Sequence, residues 1–237
     1  MKRYGRTMCL AAAVFALIAT TPLGAEEHEE FLYRYGLAPG TEVSSLSDEP
    51  DAIEFEVVED PEFSSANVSS IAEYHGVYPL SAQELLNAVT AYGDYTRISK
   101  RVTESEVLES PEEPPYDEIG TVTSLDAARM LTSFKFLFFG REYEYTLSSM
   151  TEELDDGALL VRSRMSRSLD GGLAAIHYSW YLEPVGSGEE TRTYLRYFTR
   201  TDFAEEPRGL RKALDLFAKR DIERLLESLY EYARREG

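Results

Sequence analysis

The chain has 237 residues, a formal net charge of −19 and a single cysteine. A surface that acidic repels phosphate backbones, so no nucleic-acid partner is expected. One thiol, Cys9, excludes an internal disulfide framework and any site built from several thiolates.

The first residues read as an address. Lys2, Arg3 and Arg6 precede an apolar run from Met8 to Ile18, and Thr20 to Ala25 lead into Glu26, Glu27, Glu29 and Glu30. That is the pattern of a signal peptide spanning 1–25, with cleavage near Ala25 and a periplasmic or secreted product. The apolar run is short for a membrane span. Cleavage would remove Cys9 and leave about 210 residues, enough for one core. Residues 26–66 then hold thirteen Asp and Glu together with Pro39, Pro50 and Pro61, and read as an acidic spacer with at most a short strand from Ile53 to Val58. The competing use of this segment is docking, with Phe31, Tyr33, Tyr35 and Leu37 contacting the domain or an envelope protein partner.

From Asn67 the pattern sharpens. Val68 to Tyr78 alternates as a strand and ends at Pro79. Ser81 with Glu84 three residues on is a capping box, opening a helix that Gly93 stops, and Asp94 caps a second short helix through Ile98. Strands follow at Val102 to Leu108 and Ile119 to Leu125, separated by a loop with Pro111, Pro114 and Pro115. Ala127 to Phe139 is ambiguous between a buried turn of helix and the start of a strand. Arg141 to Met150, Leu159 to Leu169, Ala174 to Glu183 and Thr191 to Thr201 are strands joined at Asp155-Asp156-Gly157, Asp170-Gly171-Gly172 and Gly186-Ser187-Gly188. Arg208 to Arg235 is one amphipathic helix, with Leu210, Ala213, Leu214, Phe217, Ile222, Leu225, Leu226, Leu229 and Tyr232 on its apolar stripe.

Short turns make neighbouring strands antiparallel, and the long helix must bury its stripe against them. The expected fold is α+β. A seven-stranded curved antiparallel sheet wraps around a long C-terminal helix, with two short helices after the first strand, over residues 67–237.

Three stretches carry a family resemblance. They are Val77-Tyr78-Pro79-Leu80-Ser81-Ala82-Gln83-Glu84-Leu85-Leu86 with Tyr92-Gly93-Asp94-Tyr95, then Phe136-Leu137-Phe138-Phe139-Gly140-Arg141-Glu142-Tyr143-Glu144-Tyr145, then Tyr178-Ser179-Trp180-Tyr181-Leu182-Glu183-Pro184 with Thr191-Arg192-Thr193-Tyr194-Leu195-Arg196-Tyr197. The order resembles the helix-grip fold of the START and Bet v 1-like superfamily. The resemblance implies a cavity between sheet and terminal helix, which relatives use for lipids, sterols, quinones and polyketides. The acidic N-terminal extension departs from that pattern.

Chemistry is sparse. His28, His75 and His177 are isolated, and no metal motif or nucleophile elbow is present. Out of phase with Ile176, Tyr178, Trp180 and Leu182, His177 is expected to point outward. By alternation, Tyr143, Tyr145, Leu147, Leu159, Val161, Met165, Tyr178, Trp180, Leu182, Leu195 and Tyr197 share one face, while Arg162, Arg164, Arg192, Arg196 and Arg200 share the other, pairing with Glu142, Glu144 and Glu183. The ligand-binding candidates are Tyr143, Tyr145, Val161, Ser163, Met165, Tyr178, Trp180, Leu195, Tyr197 and Phe217, with Ser163 and tyrosine hydroxyls as polar tips. The expectation is a monomeric, cofactor-free carrier of a hydrophobic or lipid-like small molecule, making transient membrane contact and performing no catalysis. The alternatives are a cyclase or aromatase of the same superfamily and an envelope interaction module.

Overall fold

The computed structural model describes residues 33–59, 61, 65–136, 139–186 and 192–236. The leader through Ala25, Cys9, His28, Phe31, Leu137, Phe138, Ser187 and Gly188 lie outside the described residues. In chain order the elements are β1 (Asp51–Glu59), β2 (Val68–Tyr78), α1 (Ala82–Val89), a 3-10 turn (Tyr92–Asp94), α2 (Tyr95–Ile98), β3 (Val102–Leu108), β4 (Thr121–Phe136), β5 (Phe139–Glu153), β6 (Leu159–Ser168), β7 (Leu173–Val185) and β8 (Arg192–Phe203). The chain closes with α3 (Leu210–Ala213), a π-helical turn (Leu214–Ala218) and α4 (Lys219–Glu236).

The strands form one antiparallel sheet in the order β1-β2-β8-β7-β6-β5-β4-β3. Helices α1 and α2 carry the chain from β2 to the opposite edge, and the meander β3 to β8 returns it to pair with β2. The capping box forms as read: the Ser81 hydroxyl accepts from the Glu84 N–H at 3.2 Å, and the Glu84 carboxylate accepts from the Ser81 N–H at 2.7 Å. Gly157, at φ 80, supplies the left-handed residue of the β5–β6 hairpin.

Two readings change. Residues 121–136 form one long strand, because Ala128, Met130, Thr132 and Phe134 alternate inward while Arg129 sits on the other face and donates to Glu144 at 2.6 Å. The sheet also has eight strands rather than seven. The added strand, β1, contains the short strand allowed at Ile53 to Val58 within the acidic spacer, and it pairs along β2 from Asp51↔His75 to Glu59↔Val68.

The segment before β1 is held as well, as a strap over the sheet's outer face. The Arg34 N–H donates to Ser179 Oγ at 2.9 Å, and that hydroxyl donates back to the Arg34 carbonyl at 2.8 Å. The Ala38 N–H donates to the Tyr194 hydroxyl at 3.1 Å, and the Val77 N–H donates to the Ser47 carbonyl at 2.9 Å. Val43 and Leu46 cover a small outer core of Val77, Ala158, Leu160, Tyr181 and Tyr194. Acidic composition did not leave this stretch free, because its peptide groups find partners on the sheet. Of the docking aromatics, Tyr33 packs on Tyr116 and on the Arg162 guanidinium, whereas Tyr35 and Leu37 stay exposed.

The strap covers two ion pairs: Arg162 meets Glu152 at 2.6 Å with both side chains within 1% of full burial, and Arg196 meets Glu73 at 2.5 Å. Arg200 meets Asp202 at 2.5 Å, also buried. These partners replace the expected Glu142, Glu144 and Glu183; Glu144 instead pairs with Arg129, and Glu183 accepts from the Tyr181 hydroxyl at 2.9 Å. Glu152 is fully satisfied, also accepting from the backbone N–H of Ile119 at 2.8 Å and of Gly120 at 3.2 Å. Removing one partner of a buried pair strands the other charge without water, at a cost of about 3–5 kcal/mol. Glu152→Ala is therefore expected to lower the urea unfolding free energy by about that amount. A loss under about 1 kcal/mol would mean that solvent reaches Arg162.

Candidate functional site: a ring-lined cavity under the C-terminal helix

The inner face of the sheet presents an almost unbroken apolar wall, and the C-terminal helix lies across it. Leu210 and Leu214 are buried at one end of the helix, and Leu226, Leu229, Tyr232 and Ala233 at the other. The far end is tied to the 3-10 turn by the Tyr232 hydroxyl, which donates to Asp94 at 2.7 Å, and to β2 by the Tyr78–Tyr230 ring contact at 5.1 Å. Between these anchors Ala218, Ile222 and Leu225 are only half-buried, and beneath them lies a cavity of about 210 Å³.

Its walls come from the alternation of the strands. Strand β7 contributes Leu173, Ile176, Tyr178 and Trp180, and β8 contributes Tyr197, Thr199, Thr201 and Phe203. Register sets these residues in rungs: Trp180 faces Tyr197, Tyr178 faces Thr199, Ile176 faces Thr201 and Leu173 faces Phe203. The Trp180 and Tyr197 rings stand 4.0 Å apart. The opposite side is made by Met130, Thr132 and Phe134 of β4 and by Tyr143, Tyr145 and Leu147 of β5. Tyr143 can seat here because Gly172 has no side chain; a Cβ there would stand 2.8 Å from the Tyr143 ring.

Polar groups in the wall are mostly hydroxyls. Burial pushes the Tyr95, Tyr145, Tyr178 and Tyr197 phenols above their ordinary range, so they stay protonated and neutral. The two charged residues of the lining among the described residues, Arg101 and Asp221, have 28% and 21% of their side chains exposed. Arg101 Nε donates to Asp221 at 2.9 Å, a second guanidinium nitrogen reaches the same carboxylate, and the cation lies 5.4 Å over the Phe134 ring. This pair bridges the segment after α2 and the start of α4. Among the described residues no group of three or more His, Asp or Glu is placed to hold a metal ion.

No protein-family model and no curated protein sequence matches the chain. Solved structures do match. Human StAR-related lipid transfer protein 5 aligns with a TM-score of 0.51 at 14% identity, over 78% of this chain and 88% of that one. The lipid transfer and protein localization domain of human StarD13 aligns at 0.50 and 14%, over 86% and 92%. The chain adopts the START/Bet v 1-like fold. A STAR-related lipid transfer protein from Xanthomonas axonopodis also aligns, with a TM-score of 0.49 and 12% identity, over 76% of this chain and 98% of that one.

Within this START-like fold, five of the ten candidate residues line the cavity: Tyr143, Tyr145, Tyr178, Trp180 and Tyr197. Val161, Ser163, Met165 and Leu195 share their face but stand outside the lining. Val161 is fully buried at the register position facing Trp180, and Leu195 is buried beyond Tyr197. The Ser163 hydroxyl is engaged by Ser149 at 2.7 Å, and Met165 packs half-buried against the core. Phe217 also stands outside it. The π-helical turn slips the helical phase, so Leu214 and Ala218 face the cavity and Phe217 is carried to the side. Phe134, Thr199, Thr201 and Phe203 were missed, although continuing the alternation of β8 past Tyr197 reaches three of them. Arg101 and Asp221 are 120 residues apart, and no sequence pattern joins them.

His177 faces outward, as its phase requires. Its Nδ1 stands 3.0 Å from the Tyr116 hydroxyl, which also donates to the Ser163 carbonyl at 3.0 Å. Burial, reinforced by Arg200, lowers its pKa from 6.5 to about 4. Between those values the unfolded chain takes up a proton that the folded His177 refuses. The contribution to stability is thus complete above pH 6.5 and is lost as the pH falls toward about 4. Chemical denaturation at about pH 7 and about pH 4.5 should show the wild type losing more stability than His177→Gln. Equal losses would contradict this burial.

Proposed function

We propose that this is an exported START-like protein that binds or carries a hydrophobic, lipid-like molecule in the cavity under its C-terminal helix. The observation that carries this reading is the ring-lined void of about 210 Å³ bounded by residues of the buried core. Protein interiors close such gaps unless something else occupies them, because an empty apolar gap forfeits packing. Buried aromatic walls with a few hydroxyl tips are also the usual form of small-molecule sites. Two human neighbours of this fold are named for lipid transfer. Export rests on the signal-peptide pattern of residues 1–25.

Binding without chemistry is the reading preferred here. Among the described residues, the single carboxylate and single guanidinium of the lining are engaged with each other, and His177 lies on the opposite face of the sheet. Ligand affinity would come from burying apolar surface, at about 25 cal/mol per Å² before ordering costs.

Native mass spectrometry of the exported full chain is expected to reveal a co-purified apolar molecule, released on denaturation. Added naphthalene is expected to bind and to perturb the fluorescence of Trp180, the chain's one tryptophan. Ala218→Phe would extend a ring from the helix into the void, weakening naphthalene binding about tenfold or more while leaving the circular dichroism spectrum unchanged. No co-purified molecule together with no naphthalene binding would overturn the proposal.

A further inference from the structure

The lining of the cavity holds two open hydroxyls that nothing in the described protein engages. Most of its polar side chains have partners. Tyr95 donates to the Val89 carbonyl at 2.7 Å, Thr132 donates to the Tyr143 carbonyl at 3.4 Å, and the Ser99 hydroxyl accepts from the Arg101 N–H at 3.3 Å. Side-chain hydrogen bonds also join Tyr145 to Thr132, Tyr197 to Thr199 and Tyr178 to Ser163. The Trp180 Nε1–H and the Tyr143 hydroxyl have no partner, but both atoms are sealed inside the wall, out of a ligand's reach. That leaves Ser70 and Thr201, whose hydroxyls make no hydrogen bond among the described residues and are not sealed.

The sheet brings these two together. Ser70 shares the inner phase of β2 with Val68, Ala72 and Tyr74, and Thr201 shares the inner phase of β8 with Tyr197 and Phe203. Register sets them directly opposite each other, with Cβ atoms about 5 Å apart, so both hydroxyls can meet one ligand atom. Elsewhere on the inner face such neighbours close on each other: Ser149 and Ser163 are bonded at 2.7 Å and keep 1% and 0% exposure. Ser70 keeps 9% and does not bond to Thr201. Thr201 lies four residues along β8 from Tyr197, about 13 Å at about 3.3 Å per residue, so the open hydroxyls and the Trp180–Tyr197 rung stand at opposite ends of that stretch of wall.

No charge of the described lining serves this pair. Its charged side chains, Arg101 and Asp221, are bound to each other, and Arg101 packs on Phe134 of β4, four strands from β8 in the sheet order. An ion held at Ser70 and Thr201 would give up its water for two neutral hydroxyls. A hydroxyl both donates and accepts, so the pair suits an uncharged carbonyl or hydroxyl oxygen. The volume of the cavity equals about seven waters at about 30 Å³ each, which restricts the rest of the molecule to a ring or a short chain.

We infer that the ligand is a compact neutral amphiphile whose apolar body lies against the rings of β5, β7 and β8, and whose one oxygen-bearing end, a ketone or an alcohol, is bound by Ser70 and Thr201. This rests on the ligand-binding reading above and deepens it.

Three probes of one shape test the inference on the full chain: 2-acetylnaphthalene, a neutral ketone; 2-isopropylnaphthalene, its hydrocarbon counterpart; and 2-naphthoate, an anion. By calorimetry the ketone should bind about tenfold tighter than the hydrocarbon, and the naphthoate should bind weakest. Ser70→Ala and Thr201→Val each remove a hydroxyl without breaking a bond inside the fold. Together they should erase the ketone's advantage and leave the hydrocarbon's affinity unchanged. The infrared carbonyl band of the bound ketone, labelled with carbon-13, should lie below its position in hexane and return toward it in the double variant. If the ketone and hydrocarbon bind alike, if the band is unshifted, if the variants leave the ketone's advantage intact, or if the naphthoate binds tightest, the hydroxyl-pair inference falls while the ligand-binding reading stands. If none of the three binds, both fall. Each single variant should lose part of the ketone's advantage, so the test holds even if the double variant does not fold.

Discussion

The C-terminal helix is fastened to the sheet at both ends and left standing off in the middle, and the candidate site follows from that constraint. Leu210 and Leu214 seat one end, and Leu226, Leu229 and Tyr232 seat the other. The stretch between them cannot settle further without pulling those anchors from the core. Tyr232 and Tyr230 fix the far end through Asp94 and Tyr78, so the stand-off is built into specific contacts. The π-helical turn serves the same geometry by turning Leu214 and Ala218 toward the gap.

A sheet that offers one face to a cavity must find its rigidity elsewhere. Here much of it comes from the other face, where the strap of residues 33–47 covers Arg162–Glu152 and Arg196–Glu73 and closes a second small core. Arg196 donates to the carbonyls of Tyr35 at 3.1 Å and Gly36 at 3.2 Å, so the cation that pairs with Glu73 also holds the strap. Buried ion pairs contribute little net stability, but they are intolerant of displacement. The outer face therefore fixes strand register, and register sets which rings face the cavity.

Much of this was legible because alternation is a local property. Tyr143, Tyr145, Tyr178, Trp180 and Tyr197 could be assigned to one wall from spacing alone, and the Ser81–Glu84 capping box from four residues. What stayed hidden depends on contacts between distant segments. Residues 51–59 offered no more than a short strand at Ile53 to Val58 in an acidic spacer, because the partner strand that makes them part of the sheet is something composition could not indicate. The long β4 was obscured where Leu125, Asp126 and Ala127 blur the period. Val161 and Leu195 have the right phase and the wrong depth, since periodicity assigns a face but not a distance from the void. Phe217 was misplaced because a regular helical period was assumed across a turn with an extra residue. Arg101 and Asp221 meet only after the whole meander has formed.

The account depends on unfilled volume between the Trp180–Tyr197 rung and the helix residues Ala218 and Ile222. Xenon enters dry apolar cavities of this scale, and its electron density locates it directly. Crystals of the ligand-free protein pressurised with xenon should show an ordered atom between those residues. Occupied sites elsewhere with none at this position would mean that side chains fill the space, and the binding site described here would not exist.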